Sequence, residues 1–112
     1  MDSKDDIMKR DWSSEFVVKM ERAIETSHYK YGWMSDTYPE LAQAAKCIQE
    51  RLDLYNQTHN LDYLVDIANF AMIEYKHPCY PDAAYTPQDS DKSPCLAGGI
   101  SHKELMESAS DY

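Results

Sequence analysis

Two pairs of carboxylates and one amide carry most of the chemistry available to this chain. Asp62, Asp66 and Asn69 stand four and then three residues apart inside the otherwise apolar run 61–75, LDYLVDIANFAMIEY. At helical spacing they share one face and form a polar stripe. Asp66 is flanked by Val65, Ile67 and Ala68, so its carboxylate belongs at a packed boundary and needs a hydrogen-bond donor, a cation or a metal. Upstream, Glu50 and Asp53 stand one turn apart. Antiparallel packing of the two helices would converge Glu50, Asp53, Asp62 and Asp66 as hard oxygen ligands. Such a set suits Mg²⁺, which keeps several waters and bridges carboxylates to substrate phosphates. Plainer readings stand beside it: a solvated acidic face for Glu50 and Asp53, dipole complementarity for Asp62, and a buried interhelical network for Asp66 and Asn69.

A second constellation is His28-Tyr29-Lys30-Tyr31-Gly32-Trp33, where aromatic rings alternate with cationic groups. His28, Lys30, Tyr31 and Trp33 are candidate ligand contacts, because this composition can stack a base and touch a phosphate. Lys76, between Tyr75 and His77, repeats the signal in shorter form. Cations at a helix C-terminus also complement the dipole, and Tyr31 and Trp33 equally suit a core. No Cys–His or Ser–His pair has local catalytic spacing, and three glycines build no phosphate loop, which argues against nucleophilic catalysis.

The elements that must position these groups are helices. Residues 1–12 read as a polar lead-in. A first helix is predicted over about 13–31, with Phe16, Met20, Ala23, Ile24 and Tyr31 on its apolar face and Gly32 as its stop. Thr37-Tyr38-Pro39-Glu40 matches a capping box and predicts a second helix over about 37–56, carrying Leu41, Ala44, Ala45, Ile48, Leu52 and Tyr55. Asn60 is the expected N-cap of a third helix, about 60–76, which Pro78 stops. Residues 77–112 form a Pro/Gly-containing extension in which Tyr80 and Tyr85 favour docking onto the body. A capping box at Ser101-His102-Lys103-Glu104 predicts a short helix over about 101–108. The expected fold is all-α: an antiparallel bundle of three main helices plus a loop-rich C-terminal segment with a short fourth helix. The apolar girth of the third helix predicts a homo-oligomer, dimer or larger.

Length and charge set further bounds. The 112 residues suffice for one domain with a modest core. A net charge of −9 argues against nonspecific nucleic-acid binding, which needs clustered Lys and Arg. Cys47, Cys79 and Cys95 lack zinc spacing and read as free thiols in a reducing cytoplasm, with a Cys79–Cys95 bridge left open. No run approaches the roughly 18 apolar residues of a membrane span, so a soluble cytoplasmic protein with no membrane partner is expected.

Lys30-Tyr31-Gly32-Trp33, the acidic second helix and Asp66-Ile67-Ala68-Asn69-Phe70-Ala71-Met72 together resemble small phage-type proteins of the MazG-like, all-α nucleotide pyrophosphohydrolase group, over about residues 13–75. The resemblance implies Mg²⁺, cleavage of nucleoside triphosphates to monophosphate and pyrophosphate, and assembly as dimers or tetramers. The group carries ExxE on one helix and ExxD on the next. Here Glu50 and Asp53 stand at the first motif, with Asp for its second Glu, and Tyr63 stands where Asp66 should be preceded by Glu. Aligning Asp66 and Asn69 to the motif instead loses its final carboxylate. The favoured expectation is therefore a phage-type protein that binds or sequesters a nucleotide or a cyclic or ADP-ribose-type signal without efficient turnover, countering a host defence. One alternative is a working Mg²⁺-dependent pyrophosphohydrolase in which Asp62 or Glu74 replaces the missing Glu. Another is an acidic helical inhibitor of a host protein, although Lys46, Arg51, Lys76 and Lys103 interrupt the negative charge.

Overall fold

Every regular element in the computed structural model, which describes residues 1–88, is a helix. The order is α1 (Lys4–Asp11), α2 (Ser14–Tyr31), α3 (Met34–Thr37), α4 (Ala44–Thr58) and α5 (Asp62–Lys76). The predicted helix at 101–108 and Cys95 lie outside the described residues. No helix among those described is long and apolar enough to cross a membrane.

Local chemistry explains most of the boundaries. At the start of α2 the Ser13 hydroxyl accepts from the Phe16 amide at 3.1 Å, and Glu15 complements the helix dipole. Gly32 ends the helix at φ 84°, a region glycine enters without a Cβ clash, and its N–H donates to the His28 carbonyl at 2.8 Å. His59 ends α4 in the left-handed region, its N–H donating to the Tyr55 carbonyl at 2.7 Å. Asn60 sits one residue before the N-cap of α5, which is Leu61, and its side chain accepts from the Asp62 amide at 3.0 Å.

Besides the N-cap of α5, expected at Asn60 and found at Leu61, two expectations are corrected. Residues 1–12 are not merely a polar lead-in, since Ser3 and Asp6 form a reciprocal capping box that opens α1. The second main helix begins at Ala44 rather than residue 37, because Thr37 closes α3 and Tyr38, ahead of Pro39, is extended at φ −109°, ψ 136°. The Thr37 carbonyl then accepts from the amides of Leu41 and Ala42 in the connecting turn.

α5 is the central element and packs against both α4 and α2. Polar contacts fix the directions. Ala45 meets Glu74 and Arg51 meets Asp66, so α4 and α5 run antiparallel. Val65, Asn69 and Ile73, four residues apart on α5, are its buried stripe, and Ala44 is the buried residue of α4.

Candidate functional site

The acidic face assembles differently from the four-carboxylate expectation. Arg51 lies between Glu50 and Asp53 in sequence, and its Nε donates to Asp66 Oδ2 at 3.3 Å across the α4–α5 interface. Each of these two side chains is about one-third exposed. The Arg51 guanidinium also lies 5.6 Å over the Phe70 ring and 4.0 Å from the Glu50 carboxylate. The partner that Asp66 requires is thus a protein cation. Asp62 is on the α2 side of α5, where it lines a hollow of about 400 Å³ with Ser13, Phe16, Lys19, Leu61 and Val65. Glu50 and Asp53 are exposed. Among the described residues, no three His, Cys, Asp or Glu side chains are grouped so as to hold a metal ion. The expected convergence of Glu50, Asp53, Asp62 and Asp66 is therefore not formed among the described residues. Two of its members face different neighbours of α5, one toward α4 and one toward α2.

Asn69 is 5% exposed, and its Nδ2 donates to the Met20 carbonyl of α2 at 3.1 Å. Its Oδ1 has no hydrogen-bond partner among the described residues. The amide ties α5 to α2, which is the interhelical network reading of this position.

Glu74 has a larger structural part than its sequence context suggested. Its Oε1 accepts from the Ala45 amide at 3.2 Å, and its Oε2 accepts from the Cys79 amide at 2.8 Å. One carboxylate thereby caps α4, which has no side-chain cap of its own, and holds the chain that leaves α5. The sequence signal is an acid near the end of the mostly apolar run 61–75, but its partners lie 29 and 5 residues away. Desolvation, reinforced by the Glu74 carboxylate beside it, pushes the Cys79 thiol above its ordinary value. Burial also pushes up the Cys47 thiol, with the Glu50 charge adding to it, and the Tyr38 phenol, with Cys47 adding to it. Among the described residues neither Cys47 nor Cys79 is in a disulfide, and the Cys79–Cys95 pairing involves a residue outside them.

The aromatic constellation does come together. Reversal of the chain at Gly32 brings Trp33 back against His28, with ring centroids 4.5 Å apart and planes at 62°. Tyr29 meets the same imidazole edge-on at 5.6 Å. Tyr29, Tyr31 and Trp33 remain 80%, 75% and 68% exposed, and Lys30 is exposed between them. Two hollows flank the reversal, of about 300 Å³ and about 390 Å³. Lys76 is exposed in the last turn of α5, where it complements the dipole, and lines neither of them. A separate hollow of about 680 Å³ lies where Tyr85 packs edge-on against Tyr75, with ring centroids 6.4 Å apart.

Compared with known proteins, the chain matches no family model, no curated protein and no solved structure.

Proposed function

We propose that this protein binds a nucleotide-type small molecule and holds it without efficient turnover, working as a self-associating helical bundle. The observation that carries the reading is the cluster at the end of α2: exposed Tyr29 and Trp33 against the half-buried imidazole of His28, with Lys30 and Tyr31 exposed on the same turn. Exposed rings beside a cation suit base stacking and a phosphate contact. The resemblance to MazG-like nucleotide pyrophosphohydrolases points to the same ligand class.

The positions of the acids favour binding over hydrolysis. Cleavage of a triphosphate needs carboxylates that position Mg²⁺ and an attacking water together. Here Asp66 is engaged by Arg51, and Asp62 sits on the α2 side of α5. The donor set therefore does not fit a preformed Mg²⁺ cage. Sequestration of a cyclic or ADP-ribose-type signal that serves a host defence is the biological role this reading implies.

The test is direct. Purified protein is incubated with nucleoside triphosphates and with cyclic and ADP-ribose-type nucleotides, with and without Mg²⁺. The protein is then denatured and what it releases is chromatographed. Intact ligand depleted from solution and recovered after denaturation supports sequestration, whereas monophosphate and pyrophosphate in excess of protein would establish an enzyme and overturn this reading.

A further inference from the structure

We infer that the aromatic cluster takes a nucleoside or a nucleotide of low phosphate charge, held chiefly by its base, and discriminates against triphosphates. The inference rests on the nucleotide-binding reading and specifies the ligand class of that site.

Size, lining and charge all point this way. The hollow of about 300 Å³ is walled by Ile24, His28, Tyr29, Trp33 and Met34. It lies at the lower limit for small-molecule pockets, enough for a heterocycle. The T-shaped contact with His28 braces Trp33 while leaving most of the indole open. An indole held this way offers a face to a base at small cost in side-chain freedom. The neighbouring hollow of about 390 Å³ shares Gly32 and Met34 with the first, and its wall is rich in hydroxyls, from Ser27, Tyr31, Thr37 and Tyr38. That juxtaposition matches a base joined to a sugar.

Charge sets the limit on phosphates. Among the described residues no Lys or Arg lines either hollow: Lys30 is exposed beside Tyr29 and Tyr31, and Arg51, which acts on the Tyr38 phenol, is already engaged by Asp66 and Glu50, while Glu25 lines the base-sized hollow and Asp36 lies in α3. The chain as a whole carries −9. One lysine can balance one phosphate charge, and each further charge meets a repulsive field. Triphosphates are thus disfavoured by the same electrostatics that leave an uncharged nucleoside unaffected.

Trp33 itself is the probe. A Trp12→Phe background leaves it as the sole indole. Its fluorescence is titrated with the four common nucleosides and with their mono- and triphosphates, with and without Mg²⁺. For the preferred base, nucleoside and monophosphate should quench saturably with similar affinity, and the triphosphate should bind about tenfold or more weakly in low salt. Equilibrium dialysis should show Trp33→Ala losing about tenfold or more in nucleoside affinity, with the far-UV helix signal unchanged. Lys30→Ala should weaken the monophosphate and spare the nucleoside. A triphosphate binding tightest, or nucleoside binding that survives Trp33→Ala, would overturn the inference while leaving the nucleotide-binding reading intact. Failure of all of these to bind overturns the inference, and failure of the cyclic and ADP-ribose-type nucleotides as well overturns both. So does a Trp33 signal that changes only with protein concentration, because the rings would then be a contact between copies.

Discussion

Arg51 and Asp66 meet across α4 and α5 with each side chain about one-third exposed, so solvent screens their attraction and the pair is worth about 0.5–1 kcal/mol. Arg51→Ala and Asp66→Ala should each cost about 0.5–1.5 kcal/mol in urea melts, the Arg51 variant also losing its contact with Phe70. The double variant should lose little more than the worse single one, and strictly additive losses would show that the two are not coupled. Glu74 should matter more. It satisfies two backbone donors, so Glu74→Ala should cost about 1–3 kcal/mol, and Glu74→Gln, which keeps one acceptor oxygen, should recover part of that. Equal melting midpoints for wild type and Glu74→Ala would remove the carboxylate from its capping role. The raised thiol of Cys47 and raised phenol of Tyr38 add a pH dependence with a definite sign. Both groups hold their protons more tightly folded than unfolded, so their contribution is complete below the ordinary thiol value of 9.0 and is lost as pH rises through the folded-state values. The urea midpoint should therefore fall on the alkaline side of 9.0, and a midpoint that rises there would contradict the burial argument.

The elements differ in how far local sequence determines them. α2 and α5 were legible because their apolar period and stop residues are local, down to Gly32 and Pro78, although the N-cap of α5 is Leu61 and not Asn60. The start of α4 was not, because the Thr37 capping pattern is interrupted at Pro39 and the acceptor that serves Ala45 is Glu74, a residue 29 positions away on another helix. α1 carries little local signal, because its box, Ser3 to Asp6, opens a polar stretch with no sustained apolar period. The candidate site divides along the same line. The need of Asp66 for a partner followed from its apolar neighbours, but the identity of that partner depends on which way α4 turns Arg51, a tertiary fact. Cooperative stability should follow packing: α5 touches both α4 and α2, whereas α1 has eight residues and none buried. Helices that short are marginal without tertiary support. Amide hydrogen exchange should be slowest around Val65, Asn69 and Ile73 and should approach unprotected rates in α1 and α3. Comparable protection in α1 would mean that something covers it in solution.

At the scale of the whole molecule, apolar cover and charge act in opposition. Among the described residues only Ala44, Val65, Ile73 and Asn69 are buried, while Trp12, Leu41, Leu61 and Tyr75 are 56%, 81%, 68% and 72% exposed. Side chains of that size left in water forfeit roughly 1.5–3 kcal/mol each relative to full burial, which is a strong drive toward covering them with a second copy. The charge of −9 on every protomer resists that drive, and its reach is set by ionic strength. At about 0.01 M salt the repulsion extends roughly 30 Å, comparable to the protomer itself, whereas at about 1 M it is confined to about 3 Å. Self-association should therefore strengthen with salt, opposite to an assembly held by complementary charges. Light scattering after size exclusion should give a mass approaching a multiple of 13.0 kDa in high salt and a shift toward the single-chain mass in low salt. A single-chain mass at every salt and protein concentration would sink the oligomer. A mass that falls as salt rises would mean that ion pairs, not the exposed apolar side chains, join the copies, and would move the interface away from Trp12, Leu41 and Leu61 toward the charged faces of α1 and α4.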